Sequence, residues 1–503
     1  MPSLLYRRAP EILFDVPGRI VSGKPVPLFI FIKDAHRFPV RLEQVVIQMD
    51  YAGGVTRVAH FPYGGMDITG PFWWDCYNIV PACQGLVRIT PHCFYRSGSQ
   101  LVQVTVDNYP GIPKYPFTTD TSALPYPSAE GWYHGDMHTH TFFTSDQIEF
   151  GAPIEALSLA AFSMELDWFA ATDHSYDLDD SVDDYLVGDH TLPKWRDLHH
   201  KADILNGIMT VLVGEEVTCR TRDGCNCHML AVGSERFIGG SGYSGEKGLD
   251  TKSEHTVGQA ASLCSEWGGF AVASHPFEHI STAERLILNR GAWTNADLAA
   301  PGIIGMQFHN GVRDGGFKKG MRAWISMLLQ GRRIVALAGS DSHGDFNRTR
   351  SVAIPFMALK ESTDNTFACV RSIVKATSGA RDDIVEGIRA GRVVVSEGPF
   401  VDLRVICRDT IAGPGDEVND SSGIVRATAL SNNDYGPVMS LKIIAGMYRE
   451  KVERTVSEDT PSGAIFRLSA ECVLAGDDVR YYRAECITTE GLLCFTNPVW
   501  VGR

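Results

Sequence analysis

The chain has 503 residues, of which 44% are hydrophobic and 21% charged, and a formal net charge of -14. That length is too great for one hydrophobic core and calls for two to four domains, and the ordinary apolar content argues against extended disorder. The acidic balance, with no basic patch against it, argues against nucleic acid and anionic membrane surfaces as partners.

Residues 1–128 read as an all-β, sandwich-like domain with its linker. Short alternating runs such as "PLFIFIKD", "RLEQVVIQMDY" and "QLVQVTV" are separated by Gly, Pro, Asn and Asp. The first segment, "MPSLLYRRAPEILFDVPGRI", has charges inside its apolar run, so it lacks the core of a secretion signal. No stretch of the chain reaches bilayer-spanning length. The expectation is a soluble, cytoplasmic protein. Phe72, Trp73 and Trp74 read as core or domain interface, and the Pro-rich stretch before Gly131 as a linker.

Residues 129–400 change pattern. Apolar runs ("LDWFAATDH", "MTVLVGEE", "GGFAVASH", "GIIGMQF", "RIVALAGSDSH") alternate with helix-length amphipathic segments, which predicts parallel strands joined by crossover helices. The fold class expected is α/β, an open sheet or a (β/α) barrel, flanked by N- and C-terminal β-sandwich-like domains. Nearly every run ends in metal-ligand chemistry. The opening stretch "YHGDMHTHTFFTSD" carries His138, His140 and Asp146, and a strand places alternate side chains on one face. Then come Asp173 and His174, Glu215 and Glu216, His228 in "CNCHMLAVG", His275 in "ASHPFEH", and Asp341 and His343 in "AGSDSHGD". Each alone reads as readily as a helix cap or a polar loop residue. In α/β barrels the strand C-termini converge on one face, so together they predict one metal cluster.

Cys225 and Cys227 beside His228 lack the second ligand pair of a structural zinc site. The acidic loop "SYDLDDSVDDYLVGD" lacks the Gly and Glu of a calcium loop and reads as a rim insertion. Residues 401–503 return to alternating β, a second sandwich-like domain without ligand clusters. The twelve cysteines show no paired spacing, as reduced thiols would. Either β-domain could shape the mouth of the barrel or support a homo-oligomer.

The motifs "DMHTHTFFTSD", "ATDH", "GEEVT" with "HMLAVG", "ASHP" and "AGSDSH", in this order, resemble the PHP (polymerase and histidinol phosphatase) superfamily, from about Gly131 to Ser396. The downstream "GIRAGRVVVSEGPFVDLRV" and the β tail resemble its CehA/McbA-like branch, named for carbaryl hydrolases. The resemblance implies a distorted barrel holding two or three divalent ions, Mn, Fe or Zn. It places His138, His140, Glu216 and Asp341 on one ion, with Glu216 as bridge to a second held with His228 and His275. A third takes His174, His343 and Asp146, an aspartate where other members have histidine, which favours harder metals. Glu216 fits the family spacing, with Glu215 as the alternative.

Such a ligand set points to hydrolysis: paired divalent ions acidify a bridging water and polarise the bond attacked. The residues expected to take part are Glu216, Asp341 and His343, with Arg220 and Arg222 as possible clamps for phosphate or carboxylate oxygens. Arg348 and Arg350 are similar candidates, and His134, His279 and His309 are secondary candidates for a general acid. The leading expectation is a phosphoesterase acting on a small phosphate monoester or diester. The alternatives are hydrolysis of a carbamate, ester or amide, with Phe142, Phe143, Phe277 and Phe346 available for an apolar pocket, or a non-catalytic binding protein. The expected partner is a small-molecule substrate.

Overall fold

The computed structural model describes residues 9–109, 111, 113–144, 151–182, 184, 187–240, 251–353, 358–420, 422–475 and 478–502, without the side chains of 351–353, 358 and 359. Strand outweighs helix throughout. In the N-terminal part, a three-stranded sheet (Glu11–Asp15, Val26–Lys33, Phe72–Ile79) faces a larger one built on Val40–Tyr51, Thr56–Ile68 and Leu86–Ser97. Val40–Tyr51 alternates, so Leu42, Val45, Ile47 and Met49 point inward, onto Ile12, Phe14, Ile30 and Ile32 of the smaller sheet. The other face of the smaller sheet is apolar too, because it packs on the central domain: Phe72 lies 5.2 Å from Phe142, and Phe29 5.1 Å from Phe346, ring to ring. Trp74 joins this seam beside Phe29, whereas Trp73 meets Tyr63 inside the sandwich.

The central sheet contains β1 (Trp132–Thr139), β2 (Trp168–Ala171), β3 (Thr210–Arg220), β4 (Asn226–Val232), β5 (Phe270–Ser274), β6 (Ile303–Asn310) and β7 (Val335–Gly339), side by side in that order. Helices α1 (Ile154–Met164), α2 (Pro193–Leu205), α3 (Val257–Glu266) and α4 (Gly315–Leu329) fall between strands. The pairs β1–β2, β2–β3, β5–β6 and β6–β7 are parallel. The all-parallel expectation fails at β4, which runs antiparallel to both neighbours. Only residues 221–225 separate β3 from β4, too few for a crossover, so the chain turns straight back as a hairpin.

The two ends of this path meet. Beyond β7, Ser342 bridges Thr139 in parallel, with Asp341 N–H donating to His138 O at 2.8 Å and His140 N–H to Ser342 O at 2.8 Å. Two glycines allow the close approaches required. A Cβ on Gly339 would lie 2.6 Å from His138 Cβ, and one on Gly135 would lie 2.1 Å from the Trp168 ring. Buried Asp136 staples the same seam by accepting from Ser340 N–H and Ala368 N–H, each at 2.9 Å.

From β1 the hydrogen bonding also continues through Arg371–Lys375 and Val393–Ser396 into Leu493–Thr496, Val479–Thr488 and Val438–Met447. The sheet therefore runs unbroken across the expected boundary at residue 400. A four-stranded sheet containing Phe400–Ile406, Ile424–Leu430 and Arg467–Val473 packs on this extension over one apolar core, including Leu403, Val425, Leu441 and Tyr482. Among the described residues no helix is long and apolar enough to cross a membrane. All twelve cysteines are free thiols.

Candidate metal centre

The strand ends gather six histidines around two carboxylates. His138 and His140 lie at the end of β1, His174 follows β2, Glu216 lies on β3, His228 on β4, His275 follows β5, and Asp341 and His343 follow β7. Glu216 is central. Its Oε1 lies 3.0 Å from His275 Nε2, 3.1 Å from His228 Nδ1 and 3.6 Å from His138 Nε2, and its Oε2 lies 3.0 Å from His174 Nδ1 and 3.6 Å from His140 Nε2. Asp341 Oδ1 is 3.3 Å from His138 Nε2 and 3.2 Å from His140 Nε2. The His343 ring stacks on His140 at 4.1 Å, and its Nδ1–H donates to Asp341 O at 3.0 Å.

Among the described residues, three sets have ligand atoms close enough to hold one ion each: His138, His140, Glu216 and Asp341; His174, Glu216 and His228; and His140, His174 and His343. The first is the set expected from sequence. In the second, His174 stands where His275 was expected, and His275 instead bridges Glu216 and Asp341, 3.8 Å from the latter. In the third, Asp146 lies outside the described residues. Glu215 faces the other way, accepting from Ile238 N–H at 2.7 Å and Ser175 Oγ–H at 2.9 Å. Alternation along β3 thus gives the cluster to Glu216.

The hydrogen bonds fix which imidazole nitrogens carry protons. Thr144 Oγ1–H donates to Asp173 at 2.9 Å, so Thr144 Oγ1 accepts from His140 Nδ1–H at 3.1 Å. Ser274 Oγ–H donates to Glu216 at 2.8 Å, and the Gln307 amide NH₂ points to Asn310 and Gly339 O. Gln307 Oε1 and Ser274 Oγ are thereby left as acceptors for His138 Nδ1–H, at 3.4 and 3.3 Å. With both rings neutral, as ligation requires, the two Nε2 atoms present lone pairs to each other across only 3.0 Å. Facing lone pairs repel unless a cation lies between or beside them, and with Glu216 and Asp341 alongside, this donor set fits a divalent ion.

Without an ion the cluster balances its charge by protons instead: burial opposes charge on His138, but Asp341 and Glu216 outweigh it and raise the ring above the usual imidazole range. Burial opposes charge on Glu216, but His228 and His138 overcome it and hold the carboxyl well below its usual range. Asp341 is likewise held well below, by His138 and His140 against burial. Burial, with His343 and His174 as neighbours, keeps His140 well below the usual imidazole range, and burial takes His228 down to about 4. His275 goes the other way, up to about 10, because Glu278 and Glu216 outweigh burial; Glu278 accepts from its Nδ1–H at 2.8 Å. The Asp341 side chain is 19% exposed whereas those of His138 and His140 are fully covered, so the cluster opens to solvent on the Asp341 and His343 side.

Several expected participants lie elsewhere. Arg220 and Arg222 are exposed. Arg220 lies four residues beyond Glu216 on an extended strand, roughly 13 Å along it. Arg348 donates to Tyr115 O and Pro116 O, and Arg350 is buried among Asp15, Asp107, Asp345 and Glu361, where it ties the segment after His343 to the N-terminal domain. His279 is exposed, His309 pairs with Glu397 at 2.9 Å, and His134 is buried in a domain junction. Phe346 is core. The cation beside the cluster is Arg290, which the sequence reading missed. It pairs with Glu278 and with Glu284, and it reaches the site only because the loop at residue 290 bridges Asn226 on β4. Its charge joins burial in lowering His228, against the opposing effect of Glu216.

No family model and no curated protein matches the chain. Among solved structures, a calcium-binding mutant of Bacteroides uniformis beta-glucuronidase 2 aligns over 98% of this chain and 61% of its own, at 9% identity and a TM-score of 0.21. A glycosyl hydrolase family 2 member from Bacteroides cellulosilyticus aligns over 97% and 63%, at 9% identity and a TM-score of 0.18. Trypsin-activated alpha-2-macroglobulin from Escherichia coli aligns over 98% and 24%, at 8% identity and a TM-score of 0.16. The chain thus spans less than two thirds of each of these proteins, and similarity at this level carries neither fold nor activity across.

Proposed function

We propose that the chain is a metal-dependent hydrolase of the PHP superfamily type, in its CehA/McbA-like branch, acting on a small phosphate monoester or diester. The observation that carries this reading is the pair of His138 and His140 Nε2 lone pairs facing each other at 3.0 Å beside Glu216 and Asp341. The strand path whose ends meet at Thr139 and Ser342 supports a distorted barrel of that type. His138, His140, Glu216 and Asp341 would hold one divalent ion, and His174, Glu216 and His228, with His275 alongside, a second. His140, His174 and His343 offer a third position. Divalent ions there supply an acidified water and polarise the bond to be cleaved.

The chain's own residues orient and shield. Thr144 and Gln307 fix the two tautomers, and Glu278 holds His275 from its far nitrogen. Burial of the ligands keeps bulk water from competing with them. His343, with Nδ1–H tied to Asp341 O, keeps its Nε2 buried beside His140 and His174, where it would serve as a ligand in the third position.

A second reading, hydrolysis of a carbamate, ester or amide, is favoured by the charge balance around the narrow crevice beside His228 and His275. Pro276, Ile280 and Trp293 line it, and its guanidinium, Arg290, is matched by Glu278 and Glu284. One experiment separates the two readings: Mn²⁺-loaded protein assayed on nitrophenyl phosphate, bis-nitrophenyl phosphate and naphthyl carbamate, with Asp341→Asn as the blank. Phosphate turnover that is lost in the variant supports the first reading, and carbamate turnover alone replaces it with the second. Silence on all three substrates by metal-loaded protein counts against both.

A further inference from the structure

Far from the metal cluster, the three domains meet around Tyr126, and a buried positive charge there lacks a counter-ion. Arg371, on the strand Arg371–Lys375, is 2% exposed, yet among the described residues no carboxylate lies within ion-pairing distance of it. Its hydrogen bond is one to Gly398 O at 3.4 Å, and its Nε has none. A second guanidinium, Arg19 of the N-terminal domain, shares the junction. The guanidinium carbons of Arg19 and Arg371 lie 4.1 and 4.0 Å from the Tyr126 ring centroid, so the two charges are at most about 8 Å apart. Both also approach the Tyr435 ring of the C-terminal domain, at 5.8 and 5.7 Å. Among the described residues Asp434 is the carboxylate paired with either guanidinium, 3.4 Å from Arg19, while Asp167 accepts from the backbone N–H of His134 at 2.7 Å.

The terminal nitrogens of Arg19 already donate to Met164 O, Leu124 O and Asp434, but several other buried polar groups at the junction are unsatisfied, and most are donors. Arg19 Nε, the Tyr435 hydroxyl and both ring nitrogens of His134 have no hydrogen-bond partner. His134 is 3% exposed and stacks on Tyr126 at 5.1 Å. Burial, reinforced by Arg371 and Arg19, holds it well below the ordinary imidazole range, so it is neutral and offers one N–H. Two arginines against one aspartate leave a single net positive charge. An isolated buried ion is costly, and the flanking ring faces compensate only part of that cost.

We propose that this junction binds a small monovalent anion, a halide or a carboxylate the size of formate or acetate, held by Arg371 and Arg19 with the Tyr435 hydroxyl and His134 N–H. The anion ties the N-terminal, central and C-terminal domains together. A carboxylate would accept several of these donors at once, whereas a halide would take them as a single sphere.

The test uses the full chain and does not depend on any catalytic activity. Thermal unfolding is followed against chloride, formate and acetate at constant ionic strength, balanced with gluconate, which is too large for the junction. The expected result is a saturable rise in Tm with at least one of the small anions and none with gluconate. The half-saturating concentration should rise roughly tenfold in Tyr435→Phe, which removes one hydrogen bond to a charge, and the rise should vanish in Arg371→Met. Should Arg371→Met fail to fold, bromide soaked into wild-type crystals should give an anomalous peak between Arg371 and Tyr435. A Tm unaffected by anion identity, the same response in Tyr435→Phe as in wild type, or an ordered water in place of bromide would each overturn the proposal.

Discussion

Replacing Thr144 by valine tests the metal assignment at a residue that touches no metal. Thr144 Oγ1 accepts from His140 Nδ1–H at 3.1 Å and donates to Asp173 at 2.9 Å, which leaves His140 Nε2 as a lone pair beside Asp341. Valine keeps the shape but leaves a buried N–H without an acceptor. The ring can then carry its proton on Nε2, the nitrogen required as a ligand. Losing a hydrogen bond of this kind behind a ligating histidine weakens metal binding by about 10- to 100-fold, or roughly 1.4 to 2.7 kcal/mol. That amount should disappear from the metal-induced stabilisation at a fixed, saturating Mn²⁺ concentration. For a unit of this size it corresponds to a loss of roughly 3 to 10 °C from the Mn²⁺-induced rise in Tm. The assay is calorimetric unfolding of wild type and variant, each with EDTA and with Mn²⁺, so that any cost to the fold itself cancels. A full metal-induced shift in the variant, with the EDTA forms both folded, would refute the reasoning that the Asp173–Thr144–His140 chain sets the ligating tautomer.

Three further outcomes are expected. Glu216→Gln removes the carboxylate that lies within 3.6 Å of five imidazoles, and it should abolish stoichiometric Mn²⁺ binding by elemental analysis, whereas Glu215→Gln should retain the metal, because Glu215 faces Ile238 and Ser175. Asp15 is raised from 3.8 to about 6 by burial, against Arg350, so its contribution to stability is full below about pH 4 and lost as pH rises through 6, about 3 kcal/mol in all. In chemical denaturation from pH 4 to 7, the stability of Asp15→Asn relative to wild type should therefore climb with pH, whatever the constant offset, and a flat difference would contradict the burial argument. Glu278→Gln removes the carboxylate from His275 Nδ1 at 2.8 Å and leaves Arg290 with Glu284. It should lower metal affinity by about tenfold while leaving the number of bound ions unchanged, as read by isothermal titration.

Much of the site was legible in the chain because metal ligands come from few residue types and because strand ends carry them. "HTH", "TDH", "GEE", "CNCH", "SHP" and "SDSH" each follow or end an apolar run, and His138, His140, His174, Glu216, His228, His275, Asp341 and His343 do converge. Alternation also marked both flanking β-domains. The choice between Glu215 and Glu216 needed the facing direction of β3, which the pairing to β4 settles.

What only the tertiary structure decided depends on neighbours distant in the chain. The direction of β4 is set by its short connection to β3, while the apolar run itself reads the same for either direction. The regrouping of His174 with Glu216 and His228 follows from the bridge between residues 174 and 216, and the loop at residue 290 brings Arg290 beside His228. Arg220, Arg222, Arg348 and Arg350 illustrate the limit from the other side. A guanidinium near a motif in sequence carries no information about direction, because its role depends on which carbonyl, carboxylate or solvent face the folded chain presents to it. Sequence determined the candidate ligand types and the strands that bear them, because chemistry and periodicity are local; tertiary packing decided which of them lie close enough to share an ion and which charges are already matched, because those are distances between segments the sequence does not order.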